Sequence, residues 1–199
     1  MIDIKTPQDH IILVPMDFSD SSINAVYYAV EMANLFDSEI TLLHVLSKST
    51  LSGLFNSDSE IALLRDKVRK KLEDLKSEIL EKWSTLKVNT LVSEGKPFKI
   101  INKVAMDNKC DTIVMGTNGV NGIEQFTGST TSRVIKSSAI PVIAVKQKRT
   151  EPKFNKIVLP IDLTKTSKQK IDWAVKVGLK YNSTIHIIME LEKDELIER

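Results

Sequence analysis

Between residues 11 and 146 the chain alternates short apolar runs with longer segments of helical period, and that alternation leaves few folds open. The runs "IILVPM" (11–16), "EITLLHVL" (39–46), "LKVNTLVSEG" (86–95), "DTIVMG" (111–116) and "PVIAVK" (141–146) are rich in β-branched residues, as strands buried on both faces must be. Residues 19–37 place Ile23, Val26, Tyr27, Val30, Ala33 and Leu35 on one stripe, with Ser19 as the expected N-cap. Residues 57–84 repeat Ile61, Leu64, Val68, Leu72, Leu75, Ile79 and Trp83, and Ser57 with Glu60 forms a capping-box pattern. Residues 97–108 open with Pro97 in a first turn, and 129–138 form the last helical segment of the series. Strand, helix, strand, repeated, predicts an α/β fold: an open, doubly wound, parallel five-stranded sheet with right-handed crossovers and helices on both faces. In such a sheet a ligand sits beyond the carboxyl ends of the strands, where strand order reverses. "VPMDFSDSS" ends the first strand and "MGTNGVNGIEQFTGST" the fourth, so both loops fall at the expected rim.

After residue 155 the opening pattern returns. Set at a constant offset, 157–191 matches 12–46 with nine identities over 35 positions and no insertion, pairing Pro160 with Pro15, Asp162 with Asp17, Ser167 with Ser22, Ala174 with Ala29 and Ile185 with Ile40. This is an internal duplication that covers one strand–helix–strand unit. The expected organisation is an α/β domain over 1–147, a basic linker over 148–155 and a partial second repeat, a C-terminal βαβ half-repeat, over 156–199. A unit of roughly 40 residues buries too little surface to stand alone, so it is expected to lean on the first domain, on a second chain or on further sequence.

Composition narrows the function. A net charge of +2 is too small to point to nucleic acid, and "KQKRTEPKFNK" (146–156) reads as a solvated connector. No apolar run approaches the roughly 20 residues of a spanning helix, and "MIDIKTPQDH" lacks the layout of a signal peptide, so a cytoplasmic protein without a membrane partner is expected. Cys110 is a lone cysteine in strand-like surroundings and reads as core filler. His10, His44 and His186 show no metal-ligand spacing, and no residue is assigned to a metal. His44 lies among apolar strand residues, where core or dimer packing is the simpler reading than catalysis.

Four of the seven glycines, Gly116, Gly119, Gly122 and Gly128, fall within residues 116–128, after one apolar run and before a helical one. Backbone amides can cradle a phosphate where no Cβ blocks the approach, and a helix starting near Ser129 would aim its free N–H groups at the same place. Ser129 and Thr130 add hydroxyls. The alternative is that these glycines only permit tight turns after a buried strand. The spacing is neither G-x-G-x-x-G nor a P-loop, since the P-loop lysine is absent.

"ILVPMDFSDSS", "LLHV", "SEGKPFKII" and "DTIVMGTNG…GST…PVIAV", in this order, resemble the universal stress protein family over residues 10–147, and 155–191 resembles the start of a second, truncated domain of the same kind. The resemblance implies a tandem-type protein of the stress response that binds an adenine nucleotide, ATP or AMP, with Mg2+ as a companion of the phosphates, and changes its partner interactions accordingly. It implies that Pro15 and Val45, with Met115, line the adenine pocket, that Asp17 holds the ribose or a magnesium-linked group, and that Gly116, Gly119, Gly128, Ser129 and Thr130 hold phosphates. It also implies a homodimer, through the 141–146 strand or the C-terminal half-repeat. The chain departs from the family pattern in one respect: eight residues, VNGIEQFT, separate Gly119 from Gly128 where nucleotide-binding members have about nine.

Two readings stand beside that one. Asp17 at a strand end is also placed to cap the following helix, and its return as Asp162 in a copy without a glycine loop favours that role. The shortened loop, with a second copy that carries no glycine loop, motivates a dimeric interaction scaffold of the same fold that binds no nucleotide. An enzyme is the third reading, but no nucleophile, acid and base set can be assembled from the crevice loops, which leaves at most slow ATP hydrolysis.

Overall fold

The structure is a computed structural model that describes residues 10–47, 58–117, 130–146, 154–162 and 166–189. The chain divides into two units, Met1–Lys148 and Arg149–Arg199.

In the first unit, β1 (Ile11–Pro15), β2 (Glu39–Leu46), β3 (Val88–Glu94), β4 (Thr112–Gly116) and β5 (Val142–Val145) form one sheet in the order β3-β2-β1-β4-β5. All four pairings are parallel. The strands alternate with α1 (Asp20–Phe36), α2 (Asp58–Lys82), α3 (Pro97–Asp107) and α4 (Thr130–Ser137). Strand order runs outward from β1 to β3, then reverses to β4 and β5. Right-handed crossovers therefore put α1 and α2 on one face and α3 and α4 on the other. Packing agrees: α1 lies on β1, β2 and β4, α2 on β2 and β3, and α3 packs on α4.

Local chemistry explains the element ends. Ser19 is the N-cap of α1, in extended backbone, and its side chain accepts from the Ser22 N–H at 3.3 Å. Asp37 ends α1 in the left-handed region, with its N–H on the Ala33 carbonyl. Small residues Ala25, Ala29 and Ala33 are fully buried in α1 and let it lie close to the sheet. Pro97 occupies the first turn of α3, where its missing N–H costs nothing. α2 buries Val68, Leu72 and Ile79, half-buries Ile61, Leu64, Leu75 and Leu80 beside them, and turns its charged residues to the other side, a helix with one face on the sheet and one in water. Ser57, the expected capping-box residue, lies outside the described residues. One core cluster joins Leu13, Leu43, Ile113 and Met115 of the sheet to Ile101, Val104 and Ala105 of α3 and Val134 of α4. Cys110 is buried in that cluster, and loss of water pushes its thiol up to about 11, so it stays protonated and serves as core.

The second unit holds β6 (Lys156–Ile161), α5 (Thr166–Tyr181) and β7 (Thr184–Met189). β6 and β7 pair in parallel, from Lys156 with Thr184 to Ile161 with Met189. Leu159 and Ala174 are its buried apolar residues among those described, and Phe154 meets Tyr181 edge-on at 4.8 Å.

Candidate functional site

The reversal of strand order falls between β1 and β4, and there the ladder is short. β1 pairs with β2 along its whole length, from Ile11 with Glu39 to Pro15 with Leu43. Against β4 it pairs only at Ile12 with Thr112 and Leu13 with Ile113. β4 then follows β5 as far as Gly116 opposite Val145. The β1–β4 ladder thus ends at Leu13 and Ile113, short of the carboxyl ends, where this topology places a ligand crevice.

Three of the expected pocket residues come together on one side of that crevice. Leu13, Leu43 and Ile113 face α3 and α4, and the two-residue period of a strand puts Pro15, Val45 and Met115 on the same face one step nearer the rim. Pro15 and Met115 are buried, and Val45 is half-buried against the core cluster. Thr117 continues the same alternation, and its Oγ1 is buried without a hydrogen-bond partner among the described residues. An orphaned hydroxyl and an apolar wall at the switch in strand order fit a flat, partly polar group such as a nucleobase.

Gly116 points the other way. A Cβ there would stand 2.6 Å from the backbone carbon and oxygen of Ser21, so the missing side chain is what lets the first turn of α1 approach β4. Thr130 is the exposed first residue of α4, and the next residue fixes its place: Thr131 Oγ1 donates to the Gly116 carbonyl at 2.7 Å. This bond sets the N-terminus of α4, the positive pole of its dipole, beside the end of β4. Gly119, Gly122, Gly128 and Ser129 lie outside the described residues.

Asp17 is exposed at the rim, where its Oδ1 accepts from the Ser19 N–H at 3.0 Å and from Ser19 Oγ at 2.5 Å. The carboxylate thus closes a turn around the residue that caps α1. Asp162 does related work in the second unit by another route: its N–H donates to Ser167 Oγ at 3.0 Å, and Ser167 Oγ donates to Asp162 Oδ1 at 2.6 Å.

Beside Asp17 the chain turns through Phe18 in the left-handed region, at φ 64°. The Phe18 ring stacks on His44 with centroids 5.2 Å apart and planes 29° apart, and Lys71 Nζ of α2 lies 5.2 Å from the Phe18 centroid. His44 Nδ1 lies 2.9 Å from the Met16 carbonyl. A carbonyl only accepts, so Nδ1 carries the proton. Burial, first of all, holds the His44 pKa below its ordinary value, against the opposing pull of the Met16 carbonyl and of Asp17. Nothing in the sequence marked this column, because a left-handed phenylalanine has no propensity signal. Among the described residues no group of three or more His, Cys, Asp or Glu side chains is placed to hold a metal ion.

Residues 10–146 match the sequence profile of the Universal stress protein family. The chain is 36% identical over 144 residues to universal stress protein MJ0531 of Methanocaldococcus jannaschii, an alignment that covers 70% of this chain and 84% of that protein. A universal stress protein from Archaeoglobus fulgidus shares the fold over 96% of this chain and 70% of its own, with a TM-score of 0.77 at 22% identity. A universal stress protein solved in complex with cAMP shares the fold at a TM-score of 0.54 and 19% identity, over 68% of this chain and 96% of its own. With more than half of its length matched, and with the sheet order and rim described above, the chain belongs to the universal stress protein family.

Proposed function

We propose that this protein binds an adenine nucleotide, ATP or AMP, in the crevice between β1 and β4. The observation that carries the reading is the early end of the β1–β4 ladder at the switch in strand order, with Pro15, Val45 and Met115 on one face and an orphaned Thr117 hydroxyl in line with Met115. A relative of this fold holding cAMP supports the choice of an adenine nucleotide. In this reading the base lies against Pro15, Val45 and Met115, the ribose approaches Asp17, and the phosphates run toward Gly116, Gly119, Gly128, Ser129 and Thr130, with Mg2+ accompanying them. Nucleotide occupancy then alters what the protein associates with in a cytoplasmic stress response. Self-association is part of the proposal: β5 ends the sheet order, and an apolar edge strand offers its unpaired backbone to a second copy. The C-terminal unit is the other proposed contact.

The test is direct. Protein purified under native conditions should release ATP, ADP or AMP on denaturation, read by mass spectrometry, and should bind added nucleotide in calorimetry with Mg2+ present. Silence in both experiments overturns the reading.

One observation favours a second reading, a scaffold that binds no nucleotide: Asp17 is engaged with Ser19, and Gly116 is required by the backbone of Ser21, so both have reasons within the fold. Gly128→Trp separates the two readings. Loss of nucleotide with the oligomer preserved supports binding, and no effect on any ligand supports the scaffold.

A further inference from the structure

We propose that His44 is a positioning residue for the nucleotide site, holding Asp17 in place by gripping the residues on either side of it. The inference rests on the nucleotide-binding reading for its functional consequence, and on geometry alone for the grip itself.

β1 ends at Pro15, and Met16 makes the last ladder bond, its N–H donating to the Leu43 carbonyl at 2.8 Å. Its own carbonyl is taken by His44 Nδ1 at 2.9 Å. Phe18, on the other side of Asp17, lies with its ring on the same imidazole. A single side chain of β2 therefore holds positions 16 and 18, and position 17 has little freedom left. The grip is needed because Phe18 is left-handed, a conformation that a non-glycine residue keeps only when its surroundings impose it. The stacked imidazole and the Lys71 ammonium, each 5.2 Å from the Phe18 ring centroid, hold it here. The turn so fixed also aims Asp17 Oδ1 at the Ser19 N–H and hydroxyl, so rim and helix cap are set together.

Three variants divide the grip into its parts. His44→Ala removes bond and stack, His44→Phe keeps a stacking ring without the donor, and His44→Asn keeps a short donor to the Met16 carbonyl without the ring. Two readouts apply to each: affinity for ATP by calorimetry, and hydrogen exchange of the Ser19 amide by NMR. His44→Ala should weaken ATP binding about tenfold, the scale of one lost hydrogen bond with its packing, and speed Ser19 exchange several-fold. His44→Asn should recover most of both, and His44→Phe less, whereas a residue that merely filled space would be rescued by Phe. Wild-type behaviour of His44→Ala in Ser19 exchange overturns the proposal, as does rescue by Phe without rescue by Asn. If wild-type protein binds no ATP, the functional reading falls, and Ser19 exchange alone decides the grip.

Discussion

Gly116 and His44 illustrate two ways in which a single residue shapes the rim. At Gly116 the constraint is steric. Any Cβ would meet the Ser21 backbone at 2.6 Å, and backbone cannot swing aside as a side-chain tip can. Gly116→Ala should therefore destabilise the protein by about 1–3 kcal/mol, the cost of overpacking a filled site, read as a lower urea midpoint at unchanged slope. Gly→Ala on an open strand would change little. At His44 the constraint is electrostatic. Its pKa in the folded protein lies below the ordinary value near 6.5, chiefly because burial disfavours the charged ring. The unfolded chain then binds a proton first as pH falls. The stabilising contribution is complete above pH 6.5 and is progressively lost as pH drops from there through the folded pKa. Equilibrium denaturation from pH 7.5 to pH 5 should show that decline in the wild type and a flatter curve in His44→Asn. Identical slopes for the two proteins would remove His44 as its source.

The secondary-structure elements were largely legible in the sequence, and the reason is burial. Strands covered on both faces must be nearly all apolar, so the buried β1 and β4 stand out as runs. The edge strands β3, with Asn89, Thr90, Ser93 and Glu94, and β5 are only half-buried, and the helices between the strands declare a 3.6-residue stripe. Ser19 as a cap and Pro97 in a first turn were readable because each has one local job that few residue types do well. The site was legible only in part. Pro15, Val45 and Met115 were expected from the family resemblance, whereas the Thr131 bond to Gly116, the orphaned Thr117 hydroxyl and the contacts of Phe18 with His44 and Lys71 arise between distant segments. No local pattern encodes such contacts. α2 offers a test at this scale, because it has a long polar face and a short apolar one. Leu72 is fully buried, and Leu72→Ala should cost about 2–5 kcal/mol. Glu94→Gln, which breaks the exposed ion pair with Arg65 of the same helix, should leave the melting temperature nearly unchanged. The reverse ranking would mean that α2 is held by charge.

The two units carry the same opening pattern into very different states of completion. In the first unit Leu13, Leu42 and Leu43 are each 0% exposed, because β1 and β2 have strand neighbours on both sides and helices on both faces. Their counterparts at the constant offset, Val158, Ile187 and Ile188, are 61%, 62% and 57% exposed. The repeated sequence keeps the apolar character of a core, but a two-stranded sheet with one helix has too few layers to cover it. At about 25 cal/mol per Å² of apolar surface, the uncovered side chains forgo much of the free energy that offsets chain entropy. The two units should accordingly differ when separated. Residues 1–148 alone should show native far-UV circular dichroism and a cooperative melt, while residues 149–199 alone should lack a cooperative transition at any temperature. A sharp melt for the isolated C-terminal unit at micromolar concentration would mean that its apolar face is covered within the unit or by its own copies. Repeating the melt over a hundredfold range of concentration distinguishes those cases, since only self-association makes the midpoint rise with concentration.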